Sequence, residues 1–312
     1  MAYYLDEINE RAKTDPAGFI EECDDTYNQK IRLAANMITE NLPKSPIVLL
    51  SGPSGSGKTT TAMKIEEELK KRGVGVYSVA MDNYFRPKMI AEEMPRTPDG
   101  AIDFESPLIM DMDLLNTHFS MLSRGETVLV PKFDFSRQIR IVEPSKTLRL
   151  KKDEIAIFEG IHALNDDITG MHPDAFKLYI SARSDVMNGD DLCFKGTWMR
   201  LVRRCVRDKL FRGMDVNVTL GMWANVRRGE KLYISPYKDK ANIKFDSSFR
   251  YEVPVFKSLA ADLFANLPDG IERFEELRSV IPAFELFESV DPGLLKPDSL
   301  LREFVGGGIY EY

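Results

Sequence analysis

Apolar positions in the first 44 residues recur at helical spacing. Pro16 opens a helix through Phe19, Ile20 and Tyr27, and Ile31, Leu33, Ala34, Met37 and Ile38 continue one face until Pro43 and Pro46 stop it. The pattern then changes. Ile47-Val48-Leu49-Leu50 is an unbroken apolar run between prolines and glycines, as expected of a parallel strand buried on both faces. A helix over 58–72, closed by Gly73, and a strand over 76–81 follow, and strand, glycine loop, helix, strand predicts a right-handed βαβ unit. Further along, 114–122 reads as a helix, 127–130 as a short strand and 140–150 as a solvent-exposed hairpin. Two more buried strands fall at 155–158 and 176–181, a basic helix at 197–211 and a last short strand at 243–245. From Val255 the chain reads as helices broken at Pro268, Pro282, Pro292 and Pro297, ending near Gly306-Gly307-Gly308. Strands alternating with helices predict an α/β fold, a mainly parallel sheet covered on both faces. The expected organisation is a helical extension over 1–44, a core domain over 45–254 and a helical extension over 255–312 packed on that core.

Composition narrows the function. The 312 residues carry a formal charge of −7, which argues against a general nucleic-acid binder. No apolar run approaches the ~20 residues of a membrane span, and residues 1–11 lack a signal-peptide layout, so no membrane partner and a cytoplasmic location are expected. Three scattered cysteines (Cys23, Cys193, Cys205) and three scattered histidines (His118, His162, His172) show no metal-ligand spacing. A homo-oligomer is left open.

The charge is uneven. Lys195, Arg200, Arg203, Arg204, Arg207, Lys209 and Arg212 face one acid, Asp208, within 18 residues. Arg200, Arg203, Arg204 and Arg207 share much of one helical face, where like charges repel unless an anion arrives, and a phosphoryl group is such an anion. A source of phosphate lies upstream. Gly52 to Thr59 reads GPSGSGKT and fits G-x-x-x-x-G-K-[ST] without a mismatch, between an expected strand and an expected helix. The glycines let successive N–H groups curl toward phosphate oxygens, Lys58 offers a point charge to the β- and γ-phosphates, and Thr59 a hydroxyl to Mg²⁺. Ligands of open α/β sheets bind beyond the carboxyl ends of the strands. Three acids stand after expected strands: Asp82, Asp134 and Glu159. Glu159 suits Mg²⁺, and Asp82 suits taking a proton from a substrate hydroxyl.

The strings GPSGSGKTT, DNYF, VPKFDF, FEG and RLVRRCVRD, taken together, resemble the uridine kinase and phosphoribulokinase family of P-loop kinases over about 47–245. The strings YEVPVFK and SLLREFVGG are similar to a bacterial branch of it. The resemblance implies a five-stranded parallel sheet of the P-loop NTPase type with a β-hairpin lobe for the acceptor, and ATP with Mg²⁺ as cofactors. It implies that Gly52, Pro53, Ser54, Gly55, Ser56, Gly57, Lys58, Thr59 and Thr60 hold the ATP phosphates, that Thr59 and Glu159 hold the metal, and that Asp82 is the catalytic base. Tyr84, Glu105, Phe133 and Arg140 are implied in acceptor binding. Arg200, Arg203 and Arg207 are implied in a lid helix over the phosphates. Two positions depart from the family pattern: Gln138 stands near the place of a pyrimidine-reading histidine, and Glu105 replaces an aspartate for the ribose hydroxyls. The expected activity is ATP-dependent phosphorylation of a small-molecule hydroxyl, with a nucleoside 5′-hydroxyl leading, a sugar or sugar phosphate as the alternative acceptor, and a non-catalytic ATP-binding regulator as the alternative of another class.

Overall fold

The computed structural model describes residues 2–86, 93–134, 137, 139–264 and 275–311, with the backbone alone at 142–145 and 275–276. Helices α1 (Leu5–Thr14) and α2 (Pro16–Asn41) come first. Pro16 occupies the first turn of α2, where no N–H partner is needed, and the Asp15 side chain accepts from the Gly18 N–H. The core then alternates: β1 (Ile47–Ser51), α3 (Lys58–Lys71), β2 (Gly75–Ala80), α4 (Met112–Ser123), a hairpin of β3 (Val128–Asp134) and β4 (Ile139–Leu148), β5 (Glu154–Glu159), β6 (Phe176–Ser181), α5 (Gly196–Arg212), α6 (Val216–Gly229) and β7 (Ile243–Asp246). Helices α7 (Glu252–Phe264) and α8 (Glu275–Phe284) follow, then a short turn of helix at Arg302–Val305.

Five strands pair in parallel in the order β7-β6-β1-β5-β2. The unbroken apolar run of β1 is explained by its neighbours. Val48 and Leu50 point into the core beneath α2, α3 and α5, while Ile47 and Leu49 point into a second core with Phe119 and Phe158. Each fully buried aliphatic side chain of this kind contributes about 1.5–3 kcal/mol, so neither face tolerates a polar position. Tyr3–Tyr4 adds a parallel pair to Val186–Asn188, which turns back on Asp191–Phe194 in a separate small sheet.

Two expected elements differ. The strand expected at 127–130 and the hairpin expected at 140–150 are the two arms of one antiparallel hairpin outside the parallel sheet, with a register shift between Val130 and Lys132. Asp134 therefore lies in a hairpin arm and not at the carboxyl edge of the sheet. Alternating residues in an exposed arm carry no mark of which partner they pair with, so the long-range pairing was invisible. Pro282 lies inside α8, and Pro268 falls outside the described residues. Among the described residues, no helix is long and apolar enough to cross a membrane.

The register sets the functional edge. Leu50 of β1 and Ala80 of β2 both lie opposite Glu159 of β5. The loop after β1, the carboxylate ending β5 and the turn after β2 therefore meet along one edge.

Candidate active site

The loop between β1 and α3 is held from behind. The Ser54 carbonyl accepts from Arg200 Nη1 at 3.2 Å, the Gly55 carbonyl from Arg203 Nη1 at 3.1 Å and the Ser56 carbonyl from the Ser247 hydroxyl at 2.7 Å. These ties hold the carbonyl side of the loop in one conformation. The approach is close: a Cβ on Gly52 would stand 2.1 Å from the Ile180 carbonyl oxygen, so any side chain there forces the loop off the sheet.

The basic helix α5 thus divides in two. Arg200 and Arg203 are fully buried. Arg203 forms a two-pronged pair with Glu252, Nε to Oε1 and Nη2 to Oε2 at 2.7 Å, and also donates to the Ser247 carbonyl at 2.8 Å. Arg200 pairs with Glu230 at 2.6 Å. The anions that relieve the repulsion expected along this helix are, for these two, the protein's own carboxylates. Arg204, Arg207 and Arg212 form the other group. All three gather on the buried Asp208 carboxylate, at 3.3, 2.9 and 3.4 Å, and Arg204 also reaches the Ser54 hydroxyl at 3.2 Å.

In front of the loop stand Lys58, Thr59, Asp82, Glu105 and Glu159. Lys58 donates to the Pro53 carbonyl at 3.4 Å, and the Thr59 hydroxyl donates to Glu159 Oε1 at 3.2 Å. Asp82 is exposed on its open side, with the rest of its surroundings made of protein that displaces part of its hydration. Lost hydration there raises its carboxyl above the usual range, while Lys58 and Arg212 hold it down. Glu159 is pushed up to about 7, by burial first, with Lys58 opposing. Glu105 also rises to about 7 through burial, against Arg204 and Lys58. Loss of hydration lowers Lys58, and Glu159, Asp82 and Glu303 offset this.

A model of the Phosphoribulokinase / Uridine kinase family matches residues 47–253. The chain belongs to this family. It is a kinase of the type that phosphorylates an alcohol group. A uridine kinase of Ureaplasma urealyticum is 27% identical over 202 residues, 64% of this chain and 87% of that protein. A uridine kinase of Bacillus pumilus is 29% identical over 200 residues, 64% of this chain and 85% of that protein. Among solved structures, a putative fructose transport system kinase from Silicibacter sp. TM1040 shares the fold, with a TM-score of 0.51 at 21% identity over 69% of this chain and 98% of that one.

Membership of this kinase family implies ATP, usually with Mg²⁺. The residues present fit that ion. Thr59 and Glu159 offer two hard oxygens side by side. Mg²⁺ favours such sparse sites because it keeps waters and phosphate oxygens as its other ligands.

The acceptor side differs from expectation in three places. Tyr84 is fully buried, with its hydroxyl on His118 Nδ1 at 2.9 Å and its ring against Phe158, so it offers no face to a ligand. Arg140 is tied to Asp111 and the Phe85 carbonyl, at 3.0 and 3.1 Å, and braces the turn that carries Asp82. Arg203 is walled behind the loop. Phe133 is half-buried, with its N–H on the Asn83 side chain and its ring edge-on to Phe85. Gln138 lies outside the described residues. Glu105 packs against α6 so closely that a Cβ on Gly229 would stand 2.3 Å from its own Cβ. Asp103 beside it is buried and holds Arg228 at 2.6 Å and the Tyr233 hydroxyl at 3.2 Å, fixing the segment. Ser247, Glu230 and Glu252 were not anticipated, and Asp208 was noted only as the one acid of the basic segment. For the carboxylates the sequence signal is charge balance, since buried arginines require partners; Ser247 carries none.

Two outcomes follow from these contacts. Glu252→Ala leaves Arg203 buried and unpaired, and urea denaturation should show a loss of about 3–5 kcal/mol. Glu105 holds its proton in the folded chain up to about 7, against 4.5 when unfolded. The folded state therefore binds more protons between these values, and this residue makes stability fall as pH rises through that window. Melting temperatures of Glu105→Gln relative to the unaltered chain should rise from pH 5 to 7 and level off above.

Proposed function

We propose that this chain transfers the γ-phosphoryl group of ATP to the 5′-hydroxyl of a nucleoside. The observation that carries the reading is the meeting of Asp82, Lys58 and the Thr59–Glu159 pair at one sheet edge, in front of a loop whose carbonyls are tied back. Phosphoryl transfer needs positioning and charge neutralisation more than covalent catalysis. The loop N–H groups and Lys58 bind the phosphate chain. Thr59 and Glu159 would hold Mg²⁺, which supplies charge neutralisation on the phosphate oxygens. Asp82 orients the acceptor hydroxyl and takes its proton as the new O–P bond forms and the bond to the leaving ADP oxygen breaks. Its raised carboxyl is better matched to that task than an ordinary aspartate. Arg204, Arg207 and Arg212 cover the transferred group and exclude water, while Arg200 and Arg203 act only through the loop.

On the acceptor side, Glu105 faces the ribose hydroxyls, and Phe133 with Phe85 offers ring edges to a base. Tyr84 and Arg140 support this lobe from behind. The relatives described as uridine kinases favour a nucleoside. A sugar phosphate is the second reading. Arg212 lies near enough to act on Asp82 in addition to Lys58, so a second cation stands on the acceptor side where a phosphate of the acceptor could meet it. An ATP-dependent reaction of either kind fits a cytoplasmic protein.

Acceptor-dependent ADP release across nucleosides and sugar phosphates separates the readings. Turnover with nucleosides alone is expected; turnover with sugar phosphates alone overturns the nucleoside assignment, and ATP binding without any phosphorylated product returns the regulator. Asp82→Asn should keep ATP affinity within a few fold and lower kcat by about 10²–10⁴, measured by steady-state kinetics at saturating ATP.

A further inference from the structure

The C-terminal segment reaches back to the first turn of α3. Glu303 Oε2 accepts from the Thr60 hydroxyl at 2.6 Å and from the Thr60 N–H at 3.3 Å. Helix α3 begins after Gly57, which has no side chain with which to cap it. Its first N–H groups are the donors that such a helix turns toward the phosphates of a nucleotide. Glu303 therefore holds the third residue of the phosphate-binding helix.

Two roles are open to a carboxylate in this position. It could compete with phosphate and leave when ATP arrives, or it could stay and fix the orientation of Thr60. The anchoring of the segment decides between them. Leu300, Leu301 and Phe304 are fully buried, and Leu300 packs directly against Gly57. Asp298 pairs with Lys64 of α3 at 2.7 Å, and the Ser299 and Tyr251 hydroxyls lie 3.4 Å apart. The Phe304 ring lies 5.1 Å from the Arg203 guanidinium, the same group that ties the Gly55 carbonyl. Gly306 meets the Phe211 ring near the end of α5. A segment fixed to α3, to α5 and to Tyr251 just before α7 does not swing away for each nucleotide.

We propose that Glu303 is a positioning residue for ATP, acting through Thr60, and that the segment from Asp298 to Gly306 is a built-in wall of the nucleotide site. The chain from β1 to β7 forms the loop and the catalytic edge. The C-terminal segment supplies the hydrogen-bond acceptor that keeps the Thr60 hydroxyl and the start of α3 in one orientation, so the phosphate chain meets a fixed set of donors. This inference rests on the reading of the loop as an ATP site.

Calorimetric titration of the full chain with ATP in the presence of Mg²⁺ tests it without needing the acceptor. Glu303→Ala should weaken ATP binding about tenfold, the worth of one buried hydrogen bond that orients the start of the phosphate-binding helix. Glu303→Gln keeps an acceptor oxygen and should stay within about threefold of the unaltered chain. In a Thr60→Ala background, Glu303→Ala should cost about twofold or less, because the two residues act as one unit. Melting temperatures are measured alongside. Glu303→Ala that binds ATP as well as the unaltered chain, with only a lower melting temperature, overturns the proposal. Tighter binding by either Glu303 variant also overturns it and makes the carboxylate a competitor. An unaltered chain that binds no ATP overturns both this inference and the ATP site on which it rests, whereas normal binding unaffected by Glu303 overturns only the former.

Discussion

Three backbone carbonyls, those of Ser54, Gly55 and Ser56, are bound by Arg200, Arg203 and Ser247, and the function of the site depends on that arrangement. A loop that binds phosphate must turn its N–H groups inward, and its carbonyls must then be satisfied elsewhere. Free in water, such a loop would sample many conformations, at about 1–2 kcal/mol of entropy per fixed residue. Two buried guanidinium groups and a serine hydroxyl fix it before any ligand arrives. Burying those guanidiniums is itself costly, and Glu230 and Glu252 offset the cost with paired hydrogen bonds. These ion pairs are weak evidence for overall stability, but they specify one loop conformation.

The charges in front of the loop follow a similar logic. Asp82, Glu105 and Glu159 all have carboxyls raised by loss of hydration, and Lys58 opposes the rise in each case. Acids and a lysine that have each lost hydration are suited to cationic and anionic ligands arriving together. A metal-bound triphosphate would answer both needs, with the metal on the acids and the phosphates on Lys58 and the arginines gathered on Asp208. Water would screen these interactions, and in the proposed reaction the arginine-rich end of α5 would serve to exclude it.

Much of this was legible in the chain. The run Ile47 to Leu50, the string GPSGSGKT and the acid after Phe158 are local signals, because backbone spacing alone fixes strand, loop and carboxylate at one edge. The resemblance placed the hairpin lobe but not the pairing of its arms. Legibility failed where a residue's role depends on distant partners. Arg203 looks like Arg204 in sequence, and only Glu252, 49 residues away, pulls it behind the loop. Tyr84 and Arg140 belong to motifs of the acceptor lobe, yet His118 and Asp111 draw them into its support. Glu303 lies 243 residues from Thr60, beyond the reach of any spacing rule.

The account stands on the loop as a preformed phosphate cradle with the metal pair on one side and Asp82 on the other. A crystal structure with Mg²⁺ and a non-hydrolysable ATP analogue tests this most directly. The account predicts phosphates against the N–H groups from Gly55 to Thr59, Mg²⁺ between Thr59 and Glu159, the terminal phosphate facing Asp82, and loop carbonyls still bound to Arg200, Arg203 and Ser247. A nucleotide bound elsewhere, or a loop that abandons those carbonyl contacts to receive it, would contradict it.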